Sequence, residues 1–485
     1  MENLVVFRDL IEEINGVEAF RQRKYAQKDR PDFYNKLRKF FFFLVREGFK
    51  RTYKKIKSSH WYQRHPDQYL TFIKIKKGSE YYLNVSIQSQ CEIEKCVIRN
   101  SFYHLKPDTD IEDVIRKCTS LYEEDGAYFN QFSDYKIPET LNNSEYVKFT
   151  TSYNKPTTIN FIEGVFIFGL GGYAYSYILP EFSSYRLIAC VDYKAERADN
   201  FKKEFGFEVA LYHPFQAEEL LRKTERPIVI IATYHSDHAT LAHWVFRINQ
   251  KSRIFVEKPP CVNIKDLNLL SELYHNHGNI EIGFNRRYIP INKKIKKIVE
   301  EKILIITISV KEVLIEKNHW YYWGNQGSRI TGNLIHWVDL ANYWIDSEVS
   351  SITMNSSRLS SEDLNISIAY QNGSIANITV SDKGNSLRGV QELIEIRFDN
   401  ETILIQDYLK YIHIKSSGRK KTRLFVMRDK GHTLMYKEFR NNLKTGAFVY
   451  SLKDLERTST ITIRASQMLL EGRKYSSFHE SYSNI

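Results

Sequence analysis

Six short apolar runs alternate with helical stretches between Gly164 and Arg286. Strands that are joined through helices must run parallel, because parallel neighbours cannot be connected by a hairpin and need a crossover segment. The pattern therefore predicts a doubly wound α/β domain over residues 160–288. Its strands are expected at 165–168, 187–191, 209–212, 228–232, 254–256 and 280–284.

The rest of the chain is long enough for further domains, because a single hydrophobic core stops growing at about 250–300 residues. Residues 289–440 are strand-rich and predict an α+β domain with an open, largely antiparallel sheet. Residues 441–475 predict a helix that returns to the first domain. Residues 1–150 predict an additional α+β domain, in which the turn at 77–80 joins two alternating strands as a hairpin. The polar segment 142–158 is the expected linker.

The net charge is +12, from 70 basic and 58 acidic residues. Such a surplus fits nucleic acid, an anionic membrane or phosphorylated substrates, but a genome that favours Lys codons produces it too. The segment 36–57 concentrates nine Lys and Arg residues and one Glu among aromatic side chains. We expect a domain-docking helix there, or a segment that contacts an anionic membrane surface. Nucleic-acid binding is the least favoured alternative.

The cysteines and the first residues favour a reducing compartment. The five cysteines are scattered, odd in number and without metal-ligand spacing, which predicts reduced thiols and no metal site. The N-terminus lacks a signal-peptide pattern, and no run approaches the ~18 apolar residues that span a bilayer. We expect a cytoplasmic protein, with contact to the inner face of the membrane as an extension of that hypothesis. The cysteines are Cys91, Cys96, Cys118, Cys190 and Cys261.

The first predicted strand runs into a G-x-G-x-x-A turn at 169–174. The first glycine permits a tight turn, the second lets the backbone approach a pyrophosphate, and the small last residue lets the next helix pack closely. Asp192 ends the next strand about 20 residues on, where a carboxylate accepts ribose hydroxyls and repels a 2′-phosphate. These features predict a Rossmann domain that binds NAD. Lys194 and Arg197 keep NADP open, and a helix N-cap is the alternative role of Asp192.

Five further segments carry signatures. They are Ile231 to Ala239, similar to an A-T-P-x-x-x-H loop; Val256 to Pro260, similar to E-K-P; Glu281 to Tyr288, similar to G-F-x-x-R-F/Y; Gly332 to Leu340, similar to a D-x-x-x-H-x-x-D helix; and Lys444 to Ile461, similar to a closing T-G and L-R-T stretch. In this order they resemble the family of glucose-fructose oxidoreductase, inositol 2-dehydrogenase and MocA. The resemblance covers residues 162–475.

The resemblance implies an NAD(P)-dependent oxidoreductase that acts on CH–OH groups and forms a homo-oligomer through its C-terminal sheet. It assigns cofactor binding to Gly169, Gly171, Gly172, Tyr173, Ala174, Asp192, Thr233, His238, Glu257 and Lys258. It assigns substrate binding to Arg286, Trp320, Arg329, Asn333 and His336, and catalysis to Lys258 and His336.

Lys258 and His336 also fit the chemistry. Oxidation of a secondary alcohol by a nicotinamide needs a general base and a cation that stabilises the developing alkoxide. Lys258 follows a strand of the sheet, where partial burial would lower the pKa of its ammonium. Imidazole titrates near neutrality, which makes His336 the acid/base candidate. A surface lysine paired with Glu257 and a satisfied core histidine are the structural alternatives.

One position departs from the family pattern. Gly332 stands four residues before His336, where many members have Asp. On a helix those two side chains would share one face. Because the carboxylate is absent here, His336 is left as the main acid/base group. Asp339 is expected either to orient the imidazole or to take part in packing.

The segment 318–331 combines aromatic residues, amides and Arg329. It suits a sugar, or a sugar nucleotide whose phosphates pair with Arg329, but an aromatic sheet face or a subunit interface has the same composition. We therefore expect a dehydrogenase for a carbohydrate or sugar nucleotide, in polysaccharide or secondary-metabolite biosynthesis. The alternative is a non-catalytic dinucleotide-binding scaffold protein of a biosynthetic assembly.

Overall fold

The computed structural model describes most of the chain from residue 161 to residue 478. In the N-terminal third it describes four strands and Tyr53. The segments outside the description beyond residue 160 are 193–194, 277, 316–320, 322–325, 358–359, 385–388, 472–474 and 479–485.

The four N-terminal strands form an antiparallel sheet in the order β1-β2-β3-β4. They are β1 (Gly16–Lys24), β2 (Gln68–Lys77), β3 (Glu80–Ser89) and β4 (Val97–Leu105). Lys77 pairs with Glu80 at the end of β2 and β3, which confirms the predicted hairpin. Apart from Tyr53, the basic segment 36–57 lies outside the described residues, so its predicted role stays a prediction.

The second sheet has six parallel strands in the order β7-β6-β5-β8-β9-β10. This is the predicted doubly wound arrangement, and the order reverses between β5 and β8, where ligands of such sheets bind. Every residue of β6 and β9 is buried, as expected for strands covered on both faces. The strands are β5 (Phe161–Phe168), β6 (Leu187–Val191), β7 (Val209–Leu211), β8 (Thr224–Ile231), β9 (Arg253–Glu257) and β10 (Asn279–Gly283).

The third sheet has nine strands in the order β18-β17-β16-β15-β11-β14-β13-β12-β19. Only the pair β11 and β14 is parallel among its described pairings, which confirms the predicted open, largely antiparallel sheet. The strands are β11 (Ile305–Lys311), β12 (Val349–Ser357), β13 (Ser360–Tyr370), β14 (Ile375–Ser381), β15 (Gln391–Phe398), β16 (Glu401–Gln406), β17 (Lys410–Ile414), β18 (Lys420–Leu424) and β19 (Tyr475–Ser477).

The helices of the described region begin at local capping signals where the sequence offers them. Asn263 and Ser451 accept hydrogen bonds from the backbone N–H groups of Asp266 and Asp454, at 2.9 and 3.1 Å. The α-helices are α1 (Leu179–Phe182), α2 (Ala195–Phe205), α3 (Glu218–Lys223), α4 (His238–Ile248), α5 (Ile264–His275), α6 (Pro290–Ile298), α7 (Ile335–Trp344), α8 (His432–Asn442) and α9 (Leu452–Leu470). π-helical turns lie at Ala174–Ile178 and Ile330–Leu334, and 3₁₀ turns at Pro214–Ala217, His235–Asp237 and Asn285–Tyr288.

Helices α7 and α9 contribute to the cores of both larger sheets. Trp337 and Ile461 pack in the core of the nine-stranded sheet, whereas Ile335 and Leu455 pack in the core of the parallel sheet. The same helix that carries His336 is therefore held by two layers. None of the described helices is long and apolar enough to cross a membrane.

Glu281 is a buried carboxyl in the last parallel strand. The Tyr288 hydroxyl and the Val449 N–H donate to its two oxygens, at 2.8 and 2.7 Å. Burial raises the pKa of Glu281 to about 7, above its ordinary value of 4.5. Because the folded chain holds this proton more tightly than the unfolded chain, Glu281 lowers stability as pH rises from about 4.5 to about 7.

We expect Glu281→Gln to remove that dependence. The measured quantity is the free energy of unfolding of the unaltered protein minus that of the variant. This difference should fall by about 2–3 kcal/mol between pH 4.5 and pH 8, at 1.4 kcal/mol per pKa unit. Urea unfolding of both proteins at several pH values measures this difference, and groups common to both cancel. A difference that does not change with pH would contradict the raised pKa.

Candidate active site

The glycine turn follows β5 directly. Gly169 has φ 90°, and a Cβ there would lie 2.2 Å from the Ala232 carbonyl oxygen, so only glycine fits. A Cβ on Gly171 would meet nothing within 4 Å, so the backbone there faces open space. Ala174 is buried where the next helical segment begins, and Gly172 is half-buried in the same turn. The turn therefore has the form that close approach of a pyrophosphate requires.

Asp192 lies beside this turn at the end of β6. Its carboxylate accepts the N–H of Leu170 at 2.9 Å and pairs with the Arg197 guanidinium at 3.2 Å. A carboxylate held next to the glycine turn fits the ribose role. The adjacent cation fits a 2′-phosphate equally well, so the structure leaves NADP open. Lys194 lies outside the described residues.

His238 ties two loops together at the carboxyl ends of β8 and β9. Its Nδ1 lies 2.8 Å from the Pro259 carbonyl oxygen and its Nε2 lies 3.3 Å from that of Thr233. Burial lowers the pKa of His238 to about 4, so the ring is neutral at neutral pH. Its contacts are with backbone carbonyls, which places His238 as a support for the loops that carry Thr233 and Lys258.

Glu257 is buried at the end of β9. The Tyr436 hydroxyl donates a hydrogen bond to its Oε1, and the Lys258 N–H donates to Oε2 at 3.3 Å. Burial raises the pKa of Glu257 to about 7, although both hydrogen bonds favour the ionised form. Its carboxyl thus anchors helix α8 to the segment that carries Lys258.

Tyr173 connects the glycine turn to the same helix. Its hydroxyl lies 2.9 Å from Nδ1 of His432, the first residue of α8. Its ring lies 6.3 Å from that of Tyr436. Sequence reasoning missed His432 and Tyr436, although their spacing of four residues puts them on one helix face. This four-residue spacing is the sequence signal that could have indicated both residues.

The Lys258 side chain is half-buried and reaches the helix that carries His336. Its Nζ donates to the Gly332 carbonyl oxygen at 3.2 Å, so its hydrogen bond goes to the opposite helix and not to Glu257. Burial lowers the pKa of Lys258, while Glu257 and Glu312 act in the opposite direction. The geometry is that of an ammonium held at the carboxyl edge of the sheet.

His336 lies on the first turn of α7, with its ring edge-on to Phe284 at 6.3 Å. Its buried Nδ1 has no hydrogen-bond partner among the residues that the structure describes. Burial, followed by the charges of Arg286 and Lys258, holds the pKa of His336 well below its usual value. The neutral ring can therefore accept a proton.

Asp339 does not orient the His336 imidazole. It accepts from the Arg287 guanidinium at 2.7 Å and from the Tyr450 hydroxyl at 2.9 Å. Of the two predicted roles, the structure thus shows packing, within a buried ion pair.

Tyr321 occupies the space beside Gly332. A Cβ on Gly332 would lie 2.4 Å from the Tyr321 hydroxyl oxygen and 2.8 Å from its ring. That hydroxyl donates to the Ser328 carbonyl at 3.2 Å and to the Asn333 side chain at 3.0 Å. The family's Asp is absent here, and the tyrosine leaves no room for it.

The predicted substrate-binding residues are not all brought together. Arg286 forms a buried two-point ion pair with Glu392, at 2.7 and 3.1 Å, and stacks on Trp337. Burial alone would raise the pKa of Glu392, but Arg286 and Lys430 lower it to about 2. Arg329 is buried, 3.7 Å from Glu312. Trp320 lies outside the described residues.

Lys430 is a further cation that the sequence did not indicate. Its Nζ donates to the Val390 carbonyl at 3.1 Å and lies 3.5 Å from Glu392. Burial, with Arg428 and Arg286 nearby, lowers the pKa of Lys430 to about 8. Lys430 and Arg286 both act on His336 electrostatically, so the imidazole sits in an electropositive environment.

Comparison with known proteins identifies the cofactor domain. Residues 164–284 match a family described as an oxidoreductase family with an NAD-binding Rossmann fold. Over these residues the chain is similar to this family. The family is that of glucose-fructose oxidoreductase, inositol 2-dehydrogenase and MocA, so the match confirms the predicted family and the predicted nicotinamide cofactor class.

Two individual proteins are similar to longer parts of the chain. YteT of Bacillus subtilis (strain 168), described as a candidate oxidoreductase, is 27% identical over 182 residues, which are 35% of this chain and 42% of YteT. YrbE of the same organism, an uncharacterized oxidoreductase, is 23% identical over 271 residues, 53% of this chain and 75% of YrbE. The chain thus spans less than half the length of the first relative.

A solved structure extends the likeness to both larger sheets. The aldose-aldose oxidoreductase of Caulobacter crescentus, in complex with glycerol, has a TM-score of 0.54 and 18% identity, and the match covers 65% of this chain and 99% of that one. At this identity it shows the fold alone. Within the described ranges, no group of His, Cys, Asp and Glu side chains has a metal-binding arrangement.

Proposed function

We propose that this protein is an NAD-dependent dehydrogenase that oxidises a secondary alcohol of a carbohydrate or sugar nucleotide. The observation that carries the proposal is the hydrogen bond from Lys258 to Gly332, one turn before His336. It holds the ammonium against the helical segment that carries His336, at the carboxyl edge of the parallel sheet, where ligands of such sheets bind.

The residues that would hold NAD are the glycine turn and Asp192. The open backbone at Gly171 suits the pyrophosphate, and the carboxylate of Asp192 suits the adenosine ribose. When bound, NAD supplies the hydride acceptor. Tyr173 and Glu257 would act indirectly. The hydrogen bond of Tyr173 to His432 fixes the glycine turn, and the hydrogen bond from the Lys258 N–H to Glu257 fixes the backbone at Lys258.

The protein's own side chains would supply the remaining chemistry, which is proton transfer and stabilisation of the developing negative charge. The His336 ring is neutral at neutral pH, so it can take the proton of the substrate hydroxyl. Lys258 would donate to the same oxygen and stabilise its developing negative charge. The buried charges of Arg286 and Lys430 favour an anion at this place, and they keep His336 unprotonated at neutral pH.

The substrate class is supported by less direct observations. The Caulobacter crescentus protein of the same fold acts on aldoses by its name. Asn333 directly follows Gly332, whose carbonyl accepts the Lys258 hydrogen bond, and its side-chain amide is half-buried there. A role in polysaccharide or secondary-metabolite biosynthesis is part of the proposal.

Asp192→Ala tests the cofactor part. We expect NAD affinity to fall by roughly 1–3 kcal/mol, because hydrogen bonds from a charged group are lost. Arg197 loses its partner at the same time, so affinity for NADP relative to NAD should rise. Fluorescence titration with both dinucleotides measures the change. The control is Asp199→Ala on α2, which removes the carboxylate that accepts a hydrogen bond from the Tyr212 hydroxyl. This variant should bind NAD normally. Unchanged NAD affinity in Asp192→Ala would remove the ribose assignment.

A non-catalytic scaffold protein is the second candidate, and Gly332 is the observation that favours it. The missing carboxylate and the tyrosine in its place are what loss of the original chemistry would leave. Intact NAD binding with no turnover on polyols, aldoses and sugar nucleotides would support the scaffold. Formation of NADH on any of them excludes it.

A further inference from the structure

A cavity of about 430 Å³ lies between α6 and strands β15 to β18 of the nine-stranded sheet. Its wall is formed by four lysines, two acidic residues, a histidine and two apolar residues: Lys294, Lys302, Lys415, Lys421, Asp399, Glu401, His413, Ile298 and Phe398. It shares no residue with the candidate active site. The volume is within the range of about 300–1,000 Å³ that is typical of small-molecule sites.

The acidic side chains in this cavity already have partners. Asp399 pairs with Lys302 at 2.8 Å. Glu401 accepts from the His413 ring at 2.6 Å. These contacts neutralise Lys302 and satisfy the buried histidine. They leave no carboxylate of the cavity wall for the other lysines.

Four further cations converge here without such compensation. Lys294 on α6 faces Lys415 and Lys421 of the β17–β18 hairpin, and Arg423 follows on β18. None of the four has an ion-pair partner within the described part of the chain. Desolvation lowers the pKa of Lys294, and repulsion from Arg423, Lys421 and Lys415 acts in the same direction.

We propose that this cavity binds a phosphate-bearing small molecule. Converging lysines that lack carboxylate partners are stabilised by a multiply charged anion, and Lys binds phosphate oxygens as a point charge. Phe398 and Ile298 give the wall an apolar part that suits the organic portion of such a ligand. The limited volume favours a small molecule over an extended polyanion. The site is independent of the proposed dehydrogenase activity.

Isothermal titration with inorganic pyrophosphate tests the proposal, with excess NAD present so that the glycine turn does not contribute. We expect binding to one site, with affinity that falls as salt rises. The double variant Lys294→Gln/Lys421→Gln should lose at least about tenfold in affinity. Lys297→Gln removes a charge from the same helix outside the cavity, and should stay within about twofold.

Two further measurements distinguish phosphate binding from a loss of folding and from attraction to a membrane surface. Lys415→Gln/Lys421→Gln alters only exposed positions of the hairpin, so it gives a second reading if the first double variant does not fold. Binding to vesicles that contain phosphatidylglycerol tests whether the lysines attract a membrane surface. No pyrophosphate binding, an equal loss in Lys297→Gln, or binding to vesicles alone would each overturn the proposal.

Discussion

Replacing Lys258 by Met is expected to lower kcat by about 10²-fold or more, while the affinity for NAD changes little. Methionine keeps the apolar length of the side chain but removes the ammonium that reaches the Gly332 carbonyl. The developing alkoxide then loses its nearest cation. The affinity for NAD should persist because the glycine turn and Asp192 are not touched.

The matched control is Lys265→Met, an exposed lysine near the start of α5. It should leave turnover and NAD affinity unchanged. His336→Gln should resemble Lys258→Met, and the double variant should lose less than the product of the two single losses if both act on one oxygen. Near-normal turnover in Lys258→Met would remove the lysine from the mechanism.

Gly332→Asp is expected to abolish most activity, although it recreates the residue that many family members have. The Cβ alone would lie 2.4 Å from the Tyr321 hydroxyl oxygen, so the tyrosine or the helix must move. Such overpacking costs about 1–3 kcal/mol of stability. A shift of the Gly332 carbonyl also displaces Lys258, so we expect kcat to fall by about 10²-fold.

Two further variants separate the clash from the charge. Gly332→Ala should lose stability without adding a carboxylate. Tyr321→Ala/Gly332→Asp removes the ring and should recover the melting temperature of Tyr321→Ala alone. Thermal unfolding and steady-state kinetics provide the two readings. A Gly332→Ala protein as stable and active as the unaltered one would contradict the fit of Tyr321 against this glycine.

The sequence predicted those elements whose pattern is local. The six parallel strands and the glycine turn are continuous apolar or glycine-rich segments, so they could be identified without tertiary information. Within residues 289–440, strands β12, β17 and β18 were not predicted, whereas the sequence predicted strands at 304–310, 365–370, 374–380, 393–398 and 402–405. Ser residues in β12 and basic residues in β18 obscure the alternation of apolar and polar positions, and β17 has only five residues. All three pair with strands that are adjacent in the chain, so the missing signal lies in their side chains.

The site could be predicted only in part. Lys258 and His336 were predicted from their motifs, and Lys258 donates a hydrogen bond to the Gly332 carbonyl, one turn before His336. The ion pair of Arg286 with Glu392 and the hydrogen bond of Tyr436 to Glu257 join residues more than a hundred positions apart. No spacing rule indicates such partners, so neither the ion pair of Arg286 nor the hydrogen bond of Tyr436 was predicted.

The most direct test of the dehydrogenase proposal is NADH formation by the purified protein with a panel of polyols, aldoses and sugar nucleotides. The proposal predicts that NADH absorbance appears with at least one of them, that NAD binds without substrate, and that Lys258→Met abolishes the signal but not the binding. NAD binding with no NADH formed from any member, or equal rates in the Lys258→Met protein, would contradict it.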